Sequence, residues 1–146
     1  MQIQLVTLFN LKNQRSSLSP MKSLQVTCAI IEKDGKFFCT QRGYGPYKDF
    51  WEFPGGKLEP GETGEECIVR EIREELKTEV RVVKYLGTAE HDYPEFHICL
   101  MAYLCEIVEG QLQLLEHEAA RWVEKDKLDE VDWLPADRTI IEILKA

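Results

Sequence analysis

In the run Arg70-Glu71-Ile72-Arg73-Glu74-Glu75, three glutamates stand at i, i+3 and i+4. On a helix of 3.6 residues per turn their carboxylates share one face. Like charges at this spacing oppose an isolated helix by about 0.2–0.5 kcal/mol per pair, so such a helix needs support from elsewhere. The sequence supplies it. Thr63 with Glu66 three residues on makes a capping box, and Cys67, Ile68, Ile72 and Leu76 recur at helical spacing with no Pro or Gly between them. The spacing predicts a helix from Thr63 to about Leu76, apolar on one side and acidic on another. Oxygen-only ligands crowded together favour Mg²⁺ or Mn²⁺, with Glu62, at the turn before the helix, able to join them. The competing reading is a solvated acidic face neutralised by Arg70 and Arg73. The approach to the helix, Phe53-Pro54-Gly55-Gly56-Lys57-Leu58-Glu59-Pro60-Gly61, favours the first reading, because glycines let backbone come close to a ligand and a glycine-rich loop entering a helix N-terminus is a setting for phosphate or metal.

Strand patterns surround this helix. Leu24–Ile31 and Phe37–Thr40 flank Lys33-Asp34-Gly35-Lys36, and Asp-Gly supplies the positive φ of a tight hairpin. Val80–Leu86, Phe96–Ile107 and a short run at Trp122-Val123 follow. Pro135 stands near a helix start, with Ile140, Ile141 and Leu144 spaced to pack it on a sheet. The class is α+β, and 146 residues are one ordinary domain. Residues 1–20 stand apart: they contain no acid, end in Ser16-Ser17-Leu18-Ser19-Pro20, and form an N-terminal extension, either disordered or an added strand, with the domain proper over 21–146.

Charge narrows the partners. Lys and Arg total 18 against 26 Asp and Glu, a formal charge of −8, which opposes a general grip on nucleic acid polymer. No run reaches the roughly 20 apolar residues that cross a bilayer, and the opening residues lack a basic start and a cleavage site, so a cytoplasmic protein is expected with no membrane partner. The five cysteines, Cys28, Cys39, Cys67, Cys99 and Cys105, form no Cys-x-x-Cys pair and are expected to be reduced core thiols.

Gly56, five residues, Glu62, seven residues, then Arg70-Glu71-Ile72-Arg73-Glu74-Glu75 resembles the Nudix box, the signature of hydrolases that cleave nucleoside diphosphates linked to another group. The departure lies at its end, where Lys77 and Thr78 replace a Gly and an apolar residue. A glycine there would cap the helix in the left-handed conformation, which costs a residue with a Cβ roughly 1 kcal/mol. The likeness extends to Trp51-Glu52-Phe53-Pro54-Gly55-Gly56-Lys57, Tyr93-Pro94 with His97, Arg121-Trp122-Val123 and Leu134-Pro135-Ala136-Asp137, which resemble stretches of the MutT-type branch.

That resemblance implies an α/β/α sandwich with a mixed sheet and a loop-helix-loop catalytic motif. It also implies Mg²⁺- or Mn²⁺-dependent hydrolysis of a nucleoside triphosphate, standard or damaged, to monophosphate and pyrophosphate, as in nucleotide-pool cleansing. The metal shell it implies is the Gly55 carbonyl, Glu71, Glu74, Glu75 and a loop carboxylate, Glu116 or its neighbour Glu118, while Arg70 and Glu62 pair to hold the loop on the helix. Arg42, Phe53, Tyr93 and Asp137 are the implied substrate contacts; against this, Arg42 reads equally as a surface strand end, Asp137 as an acid favoured by a helix N-terminus, and Phe53, Tyr93 and Phe96 as core. An ionised Asp137 only accepts hydrogen bonds, so it would favour cytosine N4, or guanine N1 and N2. A monomer or homodimer is expected. The alternatives are hydrolysis of another nucleoside-diphosphate-linked substrate and a catalytically silent nucleotide-binding module.

Overall fold

The computed structural model describes residues 22–43, 45–113 and 119–146. The expectations for residues 1–20 and for Glu116 and Glu118 fall outside these. The organising element is β1 (Lys22–Lys33), whose residues are buried on both sides in its middle. Leu24, Val26, Cys28 and Ile30 enter one core, and Ala29 and Ile31 enter another. Alternate residues of a strand point to opposite faces, so a strand covered on both reads as a continuous apolar run.

From the end of β1 the hairpin turns as expected: Asp34 and Gly35 both take positive φ, 52° and 77°, and β2 (Lys36–Gln41) returns antiparallel. β2 is flanked by β3 (Trp51–Glu52) and by β7 (Ala119–Glu124). β1 pairs antiparallel with β4 (Gly55–Lys57) through Val26–Cys28 and parallel with β6 (Phe96–Glu109) from Lys22 to Ile31, and β5 (Glu79–Asp92) lines the outside of β6. Helix α1 (Gly64–Leu76) covers one face with Ile68, Ile72 and Leu76, and α2 (Pro135–Lys145) covers the other with Ile140 and Ile141. The result is the expected sandwich.

Three details differ from the sequence reading. The glycine-rich approach holds a short strand, β4, because glycine carries no side-chain pattern yet its backbone pairs like any other, and the two-residue β3 just before it is too short to show an alternation. β5 continues past Leu86 to Asp92 through register shifts near Val82 and Tyr85. Cys99 is only half-buried, since it alternates with the buried Ile98 and Leu100 and points to the other face of β6, whereas the other four thiols are buried. All five are free thiols. No helix among the described residues is long and apolar enough to cross a membrane.

Candidate active site

The box is built around a close approach of three elements. A Cβ placed on Gly55 would lie 2.0 Å from the Thr27 carbonyl oxygen, and one on Gly56 would lie 2.2 Å from Glu71 Cδ. Glycine therefore lets β4 seat on β1 and lets the Glu71 carboxyl fold over β4. Thr27 Oγ1 donates to the Gly56 carbonyl at 3.1 Å, fixing that peptide from beneath. α1 begins with the capping box in full: Glu66 N–H donates to Thr63 Oγ1 at 3.1 Å, and Thr63 N–H to Glu66 Oε1 at 2.9 Å. It ends on Lys77, which takes φ 53° and ψ 38° and donates its N–H to the Arg73 carbonyl. The left-handed exit expected of a glycine is thus kept by a lysine.

Arg70 ties loop to helix. Its Nε donates to Glu62 Oε2 at 2.6 Å and a terminal nitrogen to Glu62 Oε1 at 2.9 Å, a two-point fork. The same guanidinium reaches the Lys57 carbonyl at 3.2 Å, Glu71 Oε1 at 2.9 Å and Glu74 Oε2 at 3.3 Å. These donors hold the Glu62 carboxyl down at about 2, and Glu62 in turn raises the Arg70 guanidinium above its ordinary value.

The three glutamates of the helix face are not equivalent. Glu71 and Glu75 are buried, while the Glu74 side chain is 60% exposed. Burial raises Glu71 above the usual carboxylate range, with Arg70 opposing and Glu74 reinforcing the rise. Among the described residues no three acid, histidine or cysteine side chains already converge as a finished metal shell; Glu71 and Glu74 meet at one Arg70 nitrogen instead. The donors nevertheless suit a hard divalent cation. The set is carboxylate and carbonyl oxygen, Glu71 is costly to ionise without a nearby positive charge, and Gly56, lacking a Cβ, lets the Glu71 carboxyl pack directly against the β4 backbone. A cleft of about 560 Å³ opens beside Glu71, lined by Lys22, Gln25, Lys57, Leu58 and Pro60.

The implied substrate contacts gather on the α2 side. Trp51 N–H donates to the Asp132 carbonyl and Leu134 N–H to the Trp51 carbonyl, which clamps the start of α2 to β3. Asp137, in the first turn of α2, is thereby set against β3, and its Oδ2 accepts from Phe53 N–H at 2.8 Å. Arg42 is fully buried, not a surface strand end, and lies 3.8 Å from Glu52 Oε2. Phe53 is buried with its ring stacked on Trp133 at 4.7 Å, and Tyr93 is buried among Tyr47, His91 and Phe96. Burial raises both acids, most strongly Asp137, which the charge of Glu52 raises further, while Arg42 opposes the rise at each. Glu52 escaped the sequence reading. Its signal was an acid between two aromatics, Trp51 and Phe53, in a segment leading to the glycines.

The NUDIX domain model matches residues 21–143. The CTP pyrophosphohydrolase of Escherichia coli (strain K12) is 36% identical over 127 residues, 86% of this chain and 94% of that protein. The 8-oxo-dGTP diphosphatase of the same strain is 34% identical over 127 residues, 86% of this chain and 98% of that one. The crystal structure of the MutT NUDIX hydrolase from Burkholderia pseudomallei superposes with a TM-score of 0.76 at 28% identity, covering 83% of this chain and 97% of that one. With the Gly55-Gly56 pair, the Arg70 fork and the glutamate face all falling inside the matched span, the chain belongs to the NUDIX domain family.

Proposed function

We propose that this protein hydrolyses nucleoside triphosphates to nucleoside monophosphate and pyrophosphate, removing damaged or non-standard nucleotides from the pool. The observation that carries the reading is the buried Glu71 carboxyl folded over Gly56 and gripped by Arg70, at the edge of an open cleft. Relatives named for CTP and 8-oxo-dGTP hydrolysis over nearly the whole chain support the substrate class.

Glu71, Glu74, Glu75, the Gly55 carbonyl and Glu116 would hold Mg²⁺ or Mn²⁺, which when bound neutralises phosphate charge and makes water acidic enough to attack near neutral pH. The protein does the rest by placement. The fork from Arg70 to Glu62 fixes the loop against α1, so that Glu71 faces the cleft in one orientation. A carboxylate of the glutamate face takes the proton of the attacking water as its oxygen bonds to phosphorus, and the broken P–O bond releases pyrophosphate and monophosphate. Arg42, Phe53, Tyr93 and Asp137 form the base-binding side.

The test is a panel of nucleoside triphosphates with Mg²⁺, resolving pyrophosphate from orthophosphate. Pyrophosphate release that disappears on chelation and in Glu71→Gln is the expected result. Orthophosphate as the product, or turnover of nucleotide sugars alone, overturns the reading.

A further inference from the structure

Beneath the Glu71 carboxyl lie two side chains that the proposed chemistry does not use. Thr27, in the middle of β1, and Cys67, in the first turn of α1, are both fully buried. Their side chains meet: Cys67 Sγ lies 3.2 Å from Thr27 Oγ1, and Thr27 Oγ1 donates to the Gly56 carbonyl at 3.1 Å. The Gly56 and Lys57 carbonyls lie 3.6 and 3.5 Å from the same sulfur. A hydroxyl has one hydrogen and Thr27 gives its own to Gly56, so between these two side chains the thiol is the donor. Cys67 keeps the proton this requires, because burial raises it to about 11. The order is therefore Cys67 S–H to the Thr27 oxygen and Thr27 O–H to the Gly56 carbonyl, a chain in which each bond polarises the next.

The chain sits where it governs the site. Thr27 stands opposite Gly56 in the register of β1 and β4, and Cys67 stands one helical turn before Glu71, so thiol and carboxyl descend from the same side of α1 onto β4. Gly56 is where they meet: it accepts from Thr27 and, having no Cβ, is closed over by the Glu71 carboxyl. Ala29 N–H donates to the Pro54 carbonyl and Leu58 N–H to the Gln25 carbonyl, which with the Thr27 bond turns the hydrogen-bonding groups of Pro54, Gly56 and Leu58 toward β1. Backbone groups alternate along an antiparallel ladder, so the Gly55 and Lys57 carbonyls face the other way, where Arg70 meets the Lys57 carbonyl. Rotation of the Gly56 peptide would displace the Gly55 carbonyl and the seat of Glu71 together.

We propose that Thr27 and Cys67 are positioning residues for metal binding: their hydrogen-bond chain holds the Gly56 peptide in one orientation, and so keeps two of the implied metal donors, the Gly55 carbonyl and the Glu71 carboxyl, in fixed relation to each other. This inference rests on the metal-dependent reading above. Neither residue is a ligand; both act through Gly56. Partners that orient metal ligands typically govern metal affinity by about tenfold to a hundredfold.

Mn²⁺ binding to the free protein, followed by the electron paramagnetic resonance signal of the unbound ion, tests this without turnover. Thr27→Val keeps the shape and removes the hydroxyl, and should weaken Mn²⁺ binding by about tenfold or more. Thr27→Ser keeps the hydroxyl and loses a buried methyl; it should bind Mn²⁺ as the wild type does, even where its urea midpoint falls. Cys67→Ala should weaken binding by a smaller factor, because S–H is a weak donor, and should have no further effect once Thr27 is Val, since both act through one chain. Unchanged affinity in Thr27→Val, equal losses in Thr27→Val and Thr27→Ser, or an additive loss in the double variant overturns the proposal. Where Thr27→Val does not accumulate as folded protein, Cys67→Ala against Cys67→Ser makes the same comparison at the other end of the chain. Crystal structures of wild type and Thr27→Val without metal give a readout that needs neither ion nor substrate: the Gly56 peptide and the Glu71 carboxyl should shift by more than about 0.5 Å, the tolerance of a preorganised site, and a smaller shift overturns the proposal. If the wild type hydrolyses no triphosphate, the activity reading fails by itself, and the ion titration and the crystal structures still decide the positioning.

Discussion

Lys77 adopts the left-handed conformation without the residue suited to it. Its φ of 53° puts its Cβ in the crowded arrangement that L residues avoid, yet the helix exit depends on it because Thr78 is buried and its Oγ1 donates to the Leu76 carbonyl. Lys77→Gly should therefore raise stability by about 1 kcal/mol, read as a higher urea midpoint, with kcat unchanged. Glu62 tells the opposite story. Its carboxyl sits at about 2 because Arg70 and the Glu59 N–H bond its charged form. The native state thus binds fewer protons than the unfolded chain, so the pair's contribution is present above the ordinary glutamate value and is lost as pH falls toward about 2. Glu62→Gln should cost roughly 1–3 kcal/mol at neutral pH, and melts of variant and wild type should converge in acid.

At the level of elements, β4 separates two roles that the glycine pair hides. Gly55 abuts the backbone of β1, where nothing can yield without moving the strand, whereas Gly56 abuts the far end of the Glu71 side chain, which can rotate away. Gly55→Ala should therefore lose about 1–3 kcal/mol or more of stability, as overpacking does. Gly56→Ala should melt close to wild type but lose most turnover, since the Glu71 carboxyl is pushed from its place. Thermal denaturation and pyrophosphate release measured on both variants check the contrast; equal effects on stability and activity at the two positions would remove the assignment.

For the molecule as a whole, the buried acids predict a stability that declines as pH rises above the ordinary carboxylate range. The raised carboxyls of Glu52 and Asp137 bind protons more tightly in the native state, so their contribution is full below the ordinary carboxylate range and declines as pH rises through their native values. Asp137→Asn should flatten that decline in a series of melts across pH. The described fold starts at Lys22 with β1 already paired to β6, and the family match starts at Met21. Removing residues 1–20 should leave melting temperature and kcat/KM unchanged. A large loss of soluble protein would assign Ile3–Phe9 to the sheet or to a dimer contact.

Helix α1, its capping box and the shared face of Glu71, Glu74 and Glu75 were legible in the sequence because they depend on contacts within one or two turns, where spacing alone sets geometry. The Asp34-Gly35 hairpin was legible for the same reason, since its two residues dictate their own φ. The grading of the three glutamates was not. Which of them is buried depends on where β4 lies, and that depends on Gly55 fitting against Thr27, 28 positions away in the chain, with no side chain to announce it. The meeting of Arg42, Glu52 and Asp137 lies further beyond reach of local pattern. Each looks like an ordinary surface charge in its own segment, and only the clamping of α2 onto β3 through Trp51 takes them out of water together and turns three unremarkable residues into one electrostatic unit.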